Sequence, residues 1–179
     1  MCLFFTSSSK YKCERQQLTM KKILITHSYF LRFDAKQWET GRPYPPLGTL
    51  YGASILRELG CDVSFFDVMF AKSPEDIIAV LDKKNPEIFV IYDDGFNYLT
   101  KMCLTNMREA AFSMIRFAKE SGCIIIVSSS DSTDQFKSYL DKGADIVILG
   151  EAEDTLANVV KNLDSGWSET EGIAYKDPY

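Results

Sequence analysis

The chain has 179 residues and a formal net charge of −5, with no dense Lys/Arg cluster, so it carries no electrostatic footprint for a nucleic-acid partner. Hydrophobic residues make up 46% of it, enough for one domain whose core needs no disulfide. Its longest apolar runs, such as Ile146-Val147-Ile148-Leu149, are of strand length, and no membrane partner is expected.

Residues 1–19 hold one short apolar cluster, Leu3-Phe4-Phe5, followed by polar residues. The cluster is too short for a signal-peptide core. This segment reads as an N-terminal extension or an upstream start, because Met20-Lys21-Lys22 leads directly into a strand. The five cysteines, Cys2, Cys13, Cys61, Cys103 and Cys123, are odd in number and lack zinc or iron–sulfur spacing. Small buried residues or inert thiols in a reduced cytoplasm are expected.

From residue 20 the pattern alternates. A strand over 22–26 is followed by a helix over 46–59, with an apolar face of Leu47, Leu50, Tyr51 and Ser54, widened by Ile55 and Leu59. Gly60 suits its C-terminal stop. The connection 27–45 between them far exceeds the usual length of about 2–6 residues. It holds Tyr29, Phe30, Phe33, Trp38, Tyr44 and the sole histidine, His27. A strand over 62–68 leads to a helix opened by Ser73-Pro74-Glu75-Asp76 and stopped before Asn85-Pro86. Then come a strand over 87–92, a helix over 102–121 and a strand over 123–128. Met107, Ala110, Ala111, Met114, Ile115 and Ala118 form the apolar face of that long helix. A helix over 131–142 with Asp131 as cap, a strand over 145–149 and a helix over 151–164 follow, and Gly172-Ile173-Ala174-Tyr175 forms a last short strand.

This alternation predicts an α/β sandwich with a five-stranded parallel sheet, order 2-1-3-4-5, plus a short extra C-terminal strand. The domain is expected over 20–166, with 167–179 as the short strand and the start of a linker. Ligands in such sheets sit outside the carboxyl ends of the strands. The candidate binding residues there are Thr26, His27 and Ser28 after strand one, and Asp93, Asp94 and Gly95 after strand three. Ser128, Ser129, Ser130 and Thr133 follow strand four, and Gly150 and Glu151 follow strand five. Gly48 joins them, because two helical glycines one turn apart, Gly48 and Gly52, suggest a close approach by the sheet, a flat ligand or a partner domain. The serine run reads as a helix cap or a ligand contact, and Asp93-Asp94-Gly95 as a surface turn or part of a site. No glycine-rich phosphate loop is present, and the nearby cations Arg32, Lys36 and Arg42 are confined to 27–45, which argues against a triphosphate. No catalytic residue and no protein metal ligand is indicated.

Three segments together resemble the cobalamin-binding domain that precedes a radical-SAM core in many enzymes. They are PPLGTLYGASILRELGCDVSFFDV (45–68), KGADIVILGEAEDTL (142–156) and TEGIAYKD (170–177). The resemblance implies a flavodoxin-like fold with a corrinoid across the carboxyl ends of its strands. Relatives of this kind include methylases and the oxidative cyclase of magnesium-protoporphyrin monomethyl ester. The implied partners are the corrinoid and a C-terminal radical-SAM domain, to which the iron–sulfur cluster and S-adenosylmethionine belong, since CxxxCxxC is absent here. Two departures stand out. The loop after strand four reads Ser128-Ser129-Ser130-Asp131-Ser132-Thr133 where many relatives have Gly-Gly-x-His-x-Thr. The Asp-x-His-x-x-Gly motif of histidine-ligated corrinoid proteins is also missing, which favours a hydrogen-bonding or structural role for His27 over cobalt ligation. On this reading 27–45 walls the corrin ring, packs against a neighbouring domain, or does both. A vestigial docking domain without cofactor and a phospho-acceptor receiver are the alternatives; a receiver lacks its acidic pair at Thr26-His27 and its lysine at Gly150-Glu151.

Overall fold

The computed structural model describes residues 20–93 and 104–176. Six strands form one sheet in the order β2-β1-β3-β4-β5-β6. They are β1 (Lys22–Thr26), β2 (Asp62–Phe65), β3 (Ile88–Tyr92), β4 (Ile124–Ser128), β5 (Ile146–Ile148) and β6 (Ile173–Tyr175). The first five pair in parallel in the expected order, and β6 adds antiparallel to β5, with Val147 opposite Ala174.

Successive strand residues point to opposite faces, and both faces are apolar. Leu24, Phe89, Ile91, Ile125, Val127 and Val147 meet α3 (Asp76–Lys84), α4 (Leu104–Glu120) and α6 (Phe136–Asp141) on one side. Ile23, Ile25, Val90, Ile126, Ile146 and Ile148 meet α2 (Leu47–Glu58) and α7 (Glu153–Lys161) on the other. Each fully buried Leu, Ile or Val side chain contributes about 1.5–3 kcal/mol. Every apolar position expected on the long helix is buried, from Met107 to Ala118.

Four local expectations change. The strand expected over 62–68 ends at Phe65, and its tail turns into a 3-10 turn, Val68–Phe70, capped by the Asp67 side chain. The helix expected over 131–142 is two pieces, α5 (Ser130–Asp134) and α6, broken at Gln135, and its cap is Ser129 rather than Asp131. The connection 27–45 contains a 3-10 turn, Leu31–Phe33, and α1 (Ala35–Thr40). In α2 the expected apolar face looks outward: Leu47, Leu50 and Tyr51 are exposed, while Thr49, Gly52, Ala53 and Leu56 meet the sheet.

That inversion has a geometric cause. Gly52 lies against the Tyr92 ring, where a Cβ would come within 3.2 Å of Cδ2. One turn earlier, the Thr49 hydroxyl donates to the Tyr92 carbonyl at 2.6 Å. The close approach at the end of β3 needs the small residue, so the larger apolar residues of the helix turn away.

Candidate functional site

The carboxyl ends of the five parallel strands are joined by one run of hydrogen bonds. The Thr26 hydroxyl donates to the Phe66 carbonyl at 2.7 Å. His27 Nε2 lies 2.8 Å from Asp67 Oδ1, which also accepts the Met69 N–H at 2.9 Å. Ser28 gives its N–H to Asp93 Oδ1 at 2.6 Å and its hydroxyl to Oδ2 at 2.7 Å. Consecutive residues after β1 thus grip opposite neighbours, as the order β2-β1-β3 allows. The Asp93 N–H continues to the Ser128 carbonyl at 2.8 Å. Ser129 and Ser132 form a reciprocal capping box at 2.8 and 2.9 Å. Thr133 Oγ1 donates to the Ser129 carbonyl at 3.0 Å and accepts the Gly150 N–H at 3.2 Å. At about 4.8 Å per strand, the run crosses roughly 19 Å from β2 to β5.

His27 is 2% exposed, and its Nδ1 accepts the Tyr29 N–H at 3.2 Å. That acceptance places the neutral ring's proton on Nε2, where it is donated to Asp67. Both ring nitrogens of the chain's sole histidine are therefore committed within the fold. Burial alone would raise the Asp67 carboxyl, but the hydrogen bonds from His27 and the Met69 N–H outweigh it and hold the group below its usual value. At Asp93 burial wins over the two Ser28 hydrogen bonds and pushes the carboxyl up. Among the described residues, no group of three or more His, Cys, Asp or Glu is placed to hold a metal ion.

The candidate residues fall into two layers. Thr26, His27, Ser28, Asp93, Ser128 and Ser129 form a buried floor. Ser130, Gly150 and Glu151 are exposed, and Gly48 and Thr133 are half-buried, so these five can meet a ligand directly. Asp94 and Gly95 lie outside the described residues, as do residues 1–19 and Cys103.

The aromatic connection serves the fold as well as the surface. Phe30 stacks on Phe33 at 5.0 Å, Tyr29 packs against Tyr44 at 5.3 Å, and Tyr29 and Phe30 are buried. The Tyr29 hydroxyl donates to Asp34, whose other oxygen caps α1 by accepting the Gln37 N–H. Phe30 and Phe33 belong to the core under α3 and α4, whereas α2 packs on the other face, so 29–46 passes over the strand ends from one face to the other. Of its aromatics Trp38 is the exposed one, with the Arg32 guanidinium 4.4 Å above its ring.

Several residues that build this end escape sequence reasoning. Asp67 falls inside the second strand expected over 62–68, but nothing in its spacing links it to His27; the link requires knowing that β1 and β2 are neighbours. Arg108 pairs with Asp131 through Nε and Nη2 at 2.7 and 2.5 Å, and the Tyr139 hydroxyl donates to the same carboxylate at 2.8 Å. The hydrogen bond to Asp131 holds Arg108 even more firmly protonated, and burial together with Asp131 pushes the Tyr139 phenol up. This triad ties α4 to the turn after β4.

A recess of about 660 Å³ lies at the opposite, amino end, lined by Leu140, Trp167 and Tyr175 among others. Its charges are paired, Lys119 with Asp145 and Lys176 with Asp141, and it contains none of the candidate residues.

Neither a family model nor a curated protein matches the chain. Two solved structures of the cobalamin-dependent S-adenosylmethionine radical enzyme OxsB are similar to it. The one with aqua-cobalamin and S-adenosylmethionine bound has a TM-score of 0.64 and 20% identity, covering 89% of this chain and 21% of that chain. The one with aqua-cobalamin bound has a TM-score of 0.66 and 18% identity, covering 95% of this chain and 25% of that chain. The chain thus spans about a fifth to a quarter of those enzymes' length, and what it shares with them is the fold: a Rossmann-like α/β sandwich with a six-stranded, mostly parallel sheet.

Proposed function

We propose that this chain is a corrinoid-binding domain whose ligand lies across the carboxyl ends of β1, β3, β4 and β5, serving a radical-SAM domain that follows it in a longer enzyme. The observation that carries the reading is the single hydrogen-bonded floor linking the loops after all five parallel strands, with Ser130, Gly150 and Glu151 exposed and Gly48 and Thr133 half-buried along it. The fold shared with two cobalamin-bound enzyme structures supports it.

The residues present fit a corrinoid that takes no imidazole from this chain, since both nitrogens of His27 are engaged. The role of His27 is to hold the start of the connecting segment against Asp67. Asp93 and Ser28 fix the same segment toward β3. Ser130 and Thr133 on α5 and the turn at 150–151 present small and polar groups to the ligand's periphery. When bound, a corrinoid supplies a cobalt ion able to carry a methyl group; transfer of that group, with the iron–sulfur cluster and S-adenosylmethionine it needs, is assigned to the following domain. A reduced, cytoplasmic setting belongs to the same reading. No helix among the described residues is long and apolar enough to cross a membrane.

A second reading, a docking domain that has lost its cofactor, is favoured by one observation: among the described residues no buried side-chain polar atom is left without a hydrogen-bond partner within the fold. Titration with hydroxocobalamin followed by visible absorption separates the two. Saturable spectral change with one corrinoid retained per chain on gel filtration supports binding; an unchanged spectrum with free corrinoid eluting alone supports the docking domain.

A further inference from the structure

Three successive residues of α4 hold three different parts of the carboxyl end. The Asn106 side chain donates to the Phe33 carbonyl of the connecting segment at 3.3 Å. Met107 is 1% exposed and packs with Tyr29 and Leu31 of that segment and with Met69 of the 3-10 turn after β2. Arg108 forms the bidentate pair with Asp131 on α5. Successive helix residues point about 100° apart, so a single turn of α4 reaches all three neighbours.

The grip on Asp131 has the largest consequence, because α5 does not fix its own direction. It has five residues, too few to persist alone, and it is separated from α6 at Gln135. Its capping box is internal. From outside it is held by Arg108 and Tyr139 on Asp131 and by the Gly150 N–H on Thr133. The Asp131 side chain is 8% exposed and that of Arg108 27%, so water does not take the place of the guanidinium. Among the described residues no other Lys or Arg pairs with Asp131. Asp131 points into the fold while its neighbour Ser130 is exposed and Thr133 is half-buried. The side chain that locks α5 and the hydroxyls that face outward thus lie on different sides of one short helix.

We propose that Arg108 is a positioning residue for ligand binding: by clamping Asp131 it aims Ser130 and Thr133, and the first turn of α4 that carries it fixes α5 relative to the connecting segment 27–45. The inference rests on the corrinoid reading and adds to it a residue that touches no ligand yet sets the affinity. The planar fork is the working part, since two donors on one carboxylate fix direction as well as distance. A lysine supplies the charge from a single flexible point and does not fix direction.

The full chain and its Arg108→Lys variant are titrated with hydroxocobalamin by visible absorption, and their amide hydrogen exchange is followed without ligand. Arg116→Lys, an exposed change on the same helix, is the control. In a second variant, Arg108→Gln/Asp131→Asn, two amides can still pair and no buried charge is left alone, which guards against loss of the fold. Arg108→Lys and the double variant are each expected to weaken hydroxocobalamin binding about tenfold and to speed exchange over 129–134, with β3 and β4 still protected. Arg116→Lys is expected to change neither. A lysine that restores full affinity, or faster exchange over 129–134 with affinity unchanged in both variants, overturns the positioning role and leaves the corrinoid reading standing. Failure of the unaltered chain to bind hydroxocobalamin overturns both.

Discussion

Asp67 and Asp93 flank the same two residues of the connecting segment, yet their environments push them in opposite directions. Asp67 is held below its usual value by His27 and the Met69 N–H, although burial opposes this. Its stabilising contribution is therefore present above the unfolded value, near 3.8, and is lost as pH falls through the lower folded value. Asp93 is raised by burial, so its contribution is fully present below about the same unfolded value, 3.8, and is lost as pH rises through the higher folded one. Urea denaturation at a series of pH values is expected to show this contrast. Asp67→Asn costs most at neutral pH and progressively less in acid. Asp93→Asn, which can still pair with both Ser28 groups, gains on the unaltered chain as pH rises above about 4. Parallel trends for the two variants would contradict the assignment. His27→Ala leaves the Tyr29 N–H without its acceptor and opens a void beside Asp67, and a loss of about 2–3 kcal/mol in unfolding free energy is expected. At this scale the sequence is a partial guide. It marks His27, Ser28 and Asp93 as residues at strand ends, but which carboxylate faces which donor depends on strand adjacency. The serine run resolves into a capping box because Ser129 is extended and can reach the Ser132 N–H, a conformation the sequence does not specify.

Among the elements, α2 is the most instructive. Its sequence carries apolar residues all round, so periodicity alone does not decide which face is buried. The decision is made by Gly52 against Tyr92 and by Thr49 on the Tyr92 carbonyl. Leu56→Ala, at a fully buried position, is expected to cost about 2–4 kcal/mol. Leu47→Ser and Tyr51→Ser, at positions exposed by 66% and 62%, are expected to stay within about 0.5 kcal/mol of the unaltered chain. Gly52→Ala sets a helix-propensity gain of up to about 1 kcal/mol against crowding of a buried ring, which costs about 1–3 kcal/mol, and a net loss is expected. Equilibrium denaturation checks all four; a costly Leu47→Ser with a harmless Leu56→Ala would restore the face that the apolar pattern first suggests. The long helix α4 shows the contrary case, since the apolar stripe read from its sequence, from Met107 to Ala118, is the face that is buried, while Leu104 and Phe117 are half-buried.

For the whole molecule, the sheet was legible because β1, β3, β4 and β5 are short apolar runs, β2 alternates apolar and polar residues as Asp62-Val63-Ser64-Phe65, and a helix follows each of the five, a pattern with few topological solutions. The order β2-β1-β3-β4-β5 follows from it, and β6 completes the sheet as an antiparallel edge beside the fully buried β5. The connection 27–45 was harder to read, because its aromatics divide between closing the core and covering the strand ends. Tyr29 and Phe30 do the first, Trp38 stands at the surface, and a list of aromatic residues does not separate them. The account's central claim is that one ligand covers the carboxyl ends of the parallel strands. Hydrogen exchange of the full chain, with and without hydroxocobalamin, tests it most directly. Slowed exchange at the carboxyl ends of the strands, in 27–45, 128–133 and 149–152 and after β3, is the predicted result. No slowing anywhere, or slowing confined to the amino end around 141–145 and 167–176, would contradict it.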